Sequence, residues 1–183
     1  MKNILVPVDF SEHSNYAVEV AVDLAKKNGA TILLLHCVEL PRRFVTESTS
    51  ALPEELFFMR EAGLNVKKLS EELKEKGLTV KTVVETTALT YAVKNLLESE
   101  SVDFIVMGST GATGSKELFL GSNAEKIVRT SSVPVLVIKD KTDIYKVKKL
   151  IFACDFSQKY VEAFQKAVAF ANILDAKIDF VYI

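Results

Sequence analysis

The sequence predicts an α/β protein with an open, mostly parallel sheet that is covered by helices on both sides. Five short runs rich in Val, Ile and Leu, several without polar alternation, are typical of strands buried on both faces. Longer segments with apolar residues at helical spacing separate these runs. Strands and helices therefore alternate five times, as right-handed βαβ units do. The predicted strands are residues 3–8, 31–38, 79–84, 103–107 and 133–138.

Glycine marks the ends of the first two predicted helices. Gly29 and Gly77 follow helical periodicity directly, where a left-handed C-terminal cap is common. Gly63 falls inside the second helix and weakens the prediction of a helix there. Residues 41–53 show no periodicity, and we expect a mobile loop.

Composition excludes several classes of function. The 183 residues carry 23 basic and 24 acidic side chains, so no excess positive charge is present to neutralise a nucleic acid backbone. No apolar stretch approaches the roughly 18 residues that span a bilayer, and we expect a cytoplasmic protein. Cys37 and Cys154 are isolated and the chain has only two histidines, which argues against disulfides and a zinc site. We expect both cysteines in strands.

The end of the chain repeats its beginning. A displacement of 146 residues places residues 148–157 on residues 2–11 without a gap, and ten of 37 aligned pairs are identical. We therefore predict one domain at residues 1–140 and an incomplete second copy at residues 147–183, made of a strand, a helix and a strand. A piece of this size cannot bury its own apolar faces. Either the natural chain continues, or the piece packs on the first domain or a partner chain.

The stretch from residue 103 to 128 holds four of the seven glycines. Gly108-Ser109-Thr110-Gly111 follows the fourth strand, and Pro7-Val8-Asp9-Phe10-Ser11 follows the first. Ligands of parallel sheets lie at such strand ends. Glycine lets the backbone approach an anion, and Gly121-Ser122-Asn123 opens a helix whose N–H groups face outwards, which suggests a phosphate cradle. The alternative is an ordinary connection with Ser122 as an N-cap. Neither GxxxxGK[ST] nor GxGxxG is present.

The spacing Gly108-x2-Gly111-x9-Gly121-Ser122 resembles the ATP-binding signature of the universal stress proteins. The opening ILVPVDFSEHSNYAVEVAVDLAKKNGATILLLHCVE is also typical of that family. The resemblance covers residues 1–139 as one domain and 147–183 as the start of a second, as in tandem members. It implies a three-layer α/β/α sandwich of the adenine nucleotide alpha hydrolase-like type, with five parallel strands in the order 3-2-1-4-5.

The resemblance also implies a binding site for ATP or AMP, with Mg or Mn as the counter-ion. Asp9 would contact the adenosine, Val38 would line the adenine slot, and backbone amides at and after Gly111 would hold the phosphates. Family loops often carry an arginine near Thr110 or Ala112, both uncharged here, so affinity is expected to be modest or AMP preferred. The implied ligand-binding residues are Pro7, Val8, Asp9, Val38, Met107, Gly108, Thr110, Gly111, Gly121, Ser122 and Asn123.

The function implied by the resemblance is that of a nucleotide-binding regulator in the stress response, with at most slow ATP hydrolysis. No catalytic arrangement follows from spacing, and His36, inside an apolar run, is interpreted as structural. A ligand-free dimerisation module and a nucleotide hydrolase are the alternatives. In this family the fifth strand commonly pairs with its equivalent, so we expect a homodimer through residues 133–138, which would cover an exposed sheet edge.

Overall fold

A computed structural model of the chain describes residues 1–38, 52–110 and 120–183. The described residues divide into two units, Met1–Lys141 and Thr142–Ile183. Parallel strands and helices build both of them.

The first unit contains a five-stranded sheet in the order β3-β2-β1-β4-β5, and each neighbouring pair of strands is parallel. Helices flank this sheet, which confirms the predicted fold class. The strands are β1 (Asn3–Pro7), β2 (Thr31–Cys37), β3 (Val80–Glu85), β4 (Phe104–Gly108) and β5 (Val135–Ile138). The helices are α1 (Glu12–Asn28), α2 (Leu52–Glu75), α3 (Leu89–Ser99) and α4 (Ser122–Thr130).

The central strands are buried on both faces, as their unbroken apolar sequences predict. Leu5, Leu35 and Ile105 are fully buried in a cluster that includes side chains of α3 and α4. Ile4 and Val6, which alternate with Leu5 along β1, are also fully buried and point to the opposite face. This burial fixes the register that brings the strand ends together.

Strand β5 begins two residues later than predicted, whereas the other four strands lie within one residue of their predicted bounds. Pro134 has no N–H to donate, although its carbonyl accepts a hydrogen bond from the Ile105 amide at 3.0 Å. Regular pairing therefore starts at Val135, opposite Ile105.

The predicted glycine caps are confirmed at the ends of α1 and α2. Gly29 has a φ of +63° after α1, and Gly77 has a φ of +82° after α2. Gly63 weakened the prediction of the second helix, but α2 is formed, is 24 residues long and runs through Gly63. Of the loop predicted at 41–53, residues 52 and 53 belong to α2, and residues 41–51 lie outside the described part of the chain.

The second unit is a strand, a helix and a strand: β6 (Lys149–Cys154), α5 (Val161–Leu174) and β7 (Lys177–Tyr182), with β6 and β7 parallel. The ring of Phe164 on α5 lies 5.4 Å from that of Phe152 and 5.2 Å from that of Phe180. These aromatic contacts hold the helix on one face of the strand pair. The opposite face presents Ile151 and Val181 to solvent.

Both cysteines end strands, as expected: Cys37 ends β2 and Cys154 ends β6, and neither forms a disulfide. None of the described helices has the length and apolar character needed to cross a membrane.

Candidate functional site

The candidate site lies where β1, β2 and β4 end. Because these strands are parallel and paired in register, their carboxyl ends meet at one edge of the sheet. Pro7, Val8 and Asp9 come from the end of β1, Val38 follows β2, and Gly108 closes β4. The strand order reverses between β1 and β4, so Asp9 and Gly108 flank the position where open α/β sheets bind their ligands.

A tight turn presents Asp9 at this edge. Its Oδ1 accepts hydrogen bonds from the Ser11 amide at 3.0 Å and the Ser11 hydroxyl at 2.6 Å. Between them, Phe10 adopts a left-handed φ of +62°. The Asp9 amide in turn donates to the Ser14 hydroxyl at 3.2 Å. Ser11 is the N-cap of α1, and the side chain of Asp9 is exposed at the strand end.

The two histidines have different surroundings. His36 donates from Nδ1 to the carbonyl oxygen of Val8 at 2.7 Å, and its ring lies 5.2 Å from that of Phe10. Since a carbonyl can only accept, this contact fixes the tautomer and supports the structural role predicted for His36. His13 in the first turn of α1 instead shares a 3.1 Å hydrogen bond between its Nδ1 and the hydroxyl of Thr110.

The glycines on the β4 side are required by close backbone packing. A Cβ atom on Gly108 would lie 2.8 Å from the backbone carbonyl carbon of His13 and 2.9 Å from the amide nitrogen of Ser14. A Cβ atom on Gly121 would lie 3.0 Å from the carbonyl oxygen of Ser109. Both glycines therefore let a neighbouring segment approach the end of β4 more closely than any other residue would allow.

Ser109 ties the segment after β4 to α4. Its side chain is buried, its amide donates to the Ile138 carbonyl at 2.8 Å, and its own carbonyl accepts from the Gly121 amide at 2.7 Å. Gly121 is the N-cap of α4, and Ser122 is the first helical residue. The alternative that Ser122 is an N-cap is therefore wrong.

The N-terminus of α4 lies beside the end of β4, and its first two residues are exposed. Ser122 and Asn123 occupy the first two helical positions, where amides have no partner within the helix and the helix dipole favours an anion. Met107, by contrast, is buried in the core cluster. Gly111 lies outside the described residues.

Sequence reasoning missed two residues of this site, His13 and Ser109. Ser109 sits within the Gly-Ser-Thr-Gly stretch, but its role as a bridge depends on β5 and α4 meeting there. The sequence gives no indication of a role for His13 beyond its closeness to Asp9.

On the first turns of α1, a hydrogen bond with the Glu12 carboxylate raises the pKa of Tyr16. The described residues contain no cluster of three or more side chains suited to hold a metal ion.

The fold is that of an α/β protein whose candidate site lies at the topological switch point of a parallel sheet. An exposed carboxylate lies on one side of that point and a helix N-terminus lies on the other. The family model of the universal stress proteins matches residues 1–139. The chain belongs to the universal stress protein family.

Named relatives agree with this assignment. Universal stress protein MJ0577 of Methanocaldococcus jannaschii is 30% identical over 155 residues, which cover 76% of this chain and 96% of the relative. Universal stress protein MJ0531 of the same organism is 33% identical over 144 residues, covering 75% of this chain and 82% of the relative. The similarity therefore spans most of these relatives and most of the first unit.

Solved structures show the same fold. The structure of MJ0577 superposes with a TM-score of 0.69 at 30% identity, covering 78% of this chain and 98% of that one. A universal stress protein from Archaeoglobus fulgidus in complex with dAMP gives 0.51 at 17% identity, covering 76% and 98%. A universal stress protein in complex with cAMP gives 0.51 at 20% identity, covering 75% and 96%.

Proposed function

We propose that this protein binds an adenine nucleotide across the switch point between β1 and β4. The observation that carries the proposal is the placement of Asp9 and the N-terminus of α4 at the same sheet edge, on either side of that point. Asp9 supplies a hydrogen-bond acceptor suited to sugar hydroxyls, and the helix supplies donors suited to phosphate. Val38, at the end of β2, lines the side of the site assigned to the base.

The phosphates are assigned to the amides of Ser122 and Asn123. The amide of Gly121 is not assigned to a phosphate, because it already donates to the Ser109 carbonyl at 2.7 Å. Gly121 instead allows the backbone at the start of α4 to lie close to that of Ser109. The remaining implied contacts are Thr110 and Gly111 after β4 and Pro7 and Val8 at the end of β1. Gly108 and Met107, whose side chain is buried in the core cluster, would back the ribose and phosphates. A Mg or Mn ion bound to the phosphates would offset their charge.

Nucleotide binding fits a regulatory role in the stress response better than a catalytic one. Two proteins of this fold are described in complex with dAMP and cAMP, which supports an adenine nucleotide as the ligand class. We propose ATP or AMP as the ligand, with hydrolysis at most slow. A turnover number with Mg-ATP in the usual enzyme range, roughly 1 per second or more, would instead favour the hydrolase alternative.

The sharpest test of the site is Ser122→Pro. Proline is favoured at the first position of a helix and lacks an N–H, and the residue before it, Gly121, already has the extended backbone (ψ 147°) that proline requires. The substitution therefore removes one phosphate donor while α4 is retained. We expect the dissociation constant for Mg-ATP, measured by calorimetry, to rise about tenfold or more, because hydrogen bonds to charged groups contribute about 1.5–3 kcal/mol.

Ser122→Ala is the matched control. It removes the hydroxyl but keeps the amide, so its affinity should stay within a few-fold of the parent. If Ser122→Pro binds nucleotide as tightly as the parent, the phosphates do not lie at the N-terminus of α4. If the parent itself binds neither ATP nor AMP, the ligand-free dimerisation module becomes the better account.

The assembly we propose is a homodimer through β5. This strand is an edge of the sheet, its pairing partner within the sheet is β4, and three of its four residues are partly exposed. Because no other described strand pairs with its outer edge, β5 is suited to pair with a second chain. Analytical ultracentrifugation at micromolar concentration should give a dimer, and a Val137→Pro variant should shift it to the monomer, whereas a monomeric parent would contradict the proposal.

We also propose that β6, α5 and β7 are the first βαβ unit of a second copy of the domain. They reproduce the order and parallel pairing of β1, α1 and β2. The residues that such a copy would bury on its second face, among them Ile151, are exposed in this unit.

A further inference from the structure

The first turn of α1 lies directly on the end of β4. The space that a side chain at Gly108 would need is filled by the backbone of His13 and Ser14. This approach places the His13 side chain beside Thr110, two residues after Gly108. The hydrogen bond between His13 Nδ1 and the Thr110 hydroxyl measures 3.1 Å and joins residues 97 apart in sequence.

The same turn also holds Asp9. Ser14 accepts from the Asp9 amide, and Ser11 donates to the Asp9 carboxylate. The first turn of α1 is thus bonded to both halves of the candidate site: to Asp9 through Ser11 and Ser14, and to the β4 side through His13. This turn of helix therefore links the two halves beyond the direct pairing of β1 with β4.

The second unit shows that the Asp9 turn itself does not require the contact made by His13. Lys159 occupies the position equivalent to His13, and its Nζ lies 2.8 Å from Oδ2 of Asp155, the aspartate of its own turn. Ser157 donates to Asp155 there as Ser11 does to Asp9. The turn is therefore formed in both units, whereas the side chain four residues after the aspartate contacts Thr110 in the first unit and the aspartate in the second.

We infer that His13 is a positioning residue for nucleotide binding: its hydrogen bond holds Thr110 beside the first turn of α1, the same turn that is bonded to Asp9. This inference rests on the proposed nucleotide site. It assigns His13 no contact with the nucleotide. Its effect on affinity passes through Thr110 alone.

The test is a set of variants titrated with Mg-ATP by calorimetry. His13→Ala should raise the dissociation constant about fivefold, the amount that one neutral hydrogen bond contributes. His13→Asn can place an amide nitrogen where Nδ1 was and should bind within about twofold of the parent, the scatter expected of such a replacement. Thr110→Val should weaken binding at least as much as His13→Ala does, because Thr110 is itself an implied nucleotide contact. The double variant should be no weaker than Thr110→Val alone, because the bond between the two side chains is already lost in that variant.

Lys159→Ala is the matched control, since it removes the equivalent side chain of the second unit and should leave affinity unchanged. Urea midpoints equal to that of the parent exclude unfolding as the cause of any loss. Unchanged affinity in His13→Ala, no recovery in His13→Asn, or additive losses in the double variant would each overturn the inference while the proposed function stands. A parent that binds no nucleotide overturns both.

Discussion

The β1-α1-β2 and β6-α5-β7 segments have the same local geometry and different burial. The aspartate-phenylalanine-serine turn recurs with a left-handed phenylalanine in both, at a φ of +62° for Phe10 and +56° for Phe156. The helices end alike as well, with left-handed caps at Gly29 and Asp175. Both features depend on short stretches of sequence: the repeat preserves the residues of the turn, whereas the cap residue differs between the two copies.

Burial, in contrast, depends on the neighbours that each segment has. Leu5 is 0% exposed and its equivalent Ile151 is 69% exposed; Leu35 is 0% exposed and its equivalent Val181 is 45% exposed. In the first unit, β3 and β4 extend the strand pair on both edges, and α3 and α4 cover the face that carries Leu5. Local sequence thus determines the shape of a βαβ unit, whereas the rest of the domain determines whether its core positions are buried.

The largest expected effect comes from placing a carboxylate at equivalent positions of the two segments. Leu5→Asp should lower the free energy of unfolding by about 4 kcal/mol or more, because it removes buried apolar contacts and buries an unpaired charge. Ile151→Asp should change it by about 0.5 kcal/mol or less, as exposed substitutions do. Urea unfolding, monitored by circular dichroism, measures the change in stability of both variants.

A large loss of stability for Ile151→Asp would break the contrast. It would mean that this face is covered in solution by a partner or another segment. A shift of the Ile151→Asp variant to a smaller species in ultracentrifugation would then identify the cover as a second chain.

A smaller effect is expected at the two helix ends. Gly29 and Asp175 share a left-handed backbone, with φ of +63° and +55°, which costs a residue with a Cβ more than glycine. Asp175→Gly should therefore stabilise α5, and Gly29→Asp should destabilise α1, each by about 0.5–1 kcal/mol. Asp175→Gly also removes an exposed ion pair with Lys148, 3.6 Å long, but this loss offsets little of the gain in stability. Hydrogen exchange at the amides of each helix measures the change, and no difference at α5 would show that the cap is unstrained.

Much of the first unit was predictable from sequence because its signals are local. Apolar runs identified the five strands, and glycines identified two helix ends. Gly63 weakened the prediction of α2, but a glycine costs a helix only about 1 kcal/mol relative to alanine. The apolar face of α2 outweighs that cost, since Ala62, Val66 and Leu73 are all buried.

The candidate site was predictable as a place but not as a set of contacts. Parallel strands bring their ends to one edge, so Asp9 and Gly108 could be placed there without coordinates. The bond from His13 to Thr110 and the use of the Gly121 amide by Ser109 require α1 and α4 to approach the end of β4. Those approaches depend on packing between segments far apart in sequence, which periodicity does not encode.

The smallest expected effect concerns the acidity of the repeated aspartate in the second unit. The hydrogen bond from Lys159, followed by those from the side chain and the amide of Ser157, lowers the pKa of Asp155 to about 2. A carboxyl whose pKa is lowered by folding stabilises the folded state above its unfolded pKa, near 3.9, and loses this contribution as the pH falls through the folded value. The contribution of Asp155 should therefore disappear between about pH 4 and pH 2.

Carbon-detected NMR titration of the Asp155 carboxyl measures this pKa directly. Lys159→Met should move it up towards the usual range, because the largest cause of the shift is removed, while Ser157 still lowers it in part. High salt should act in the same direction, since the pair is exposed to solvent. A titration of Asp155 unchanged by Lys159→Met would show that the lysine does not hold the carboxylate in solution. The two units would then differ in the residue at this position, His13 or Lys159, but not in a contact that Lys159 makes with its own aspartate.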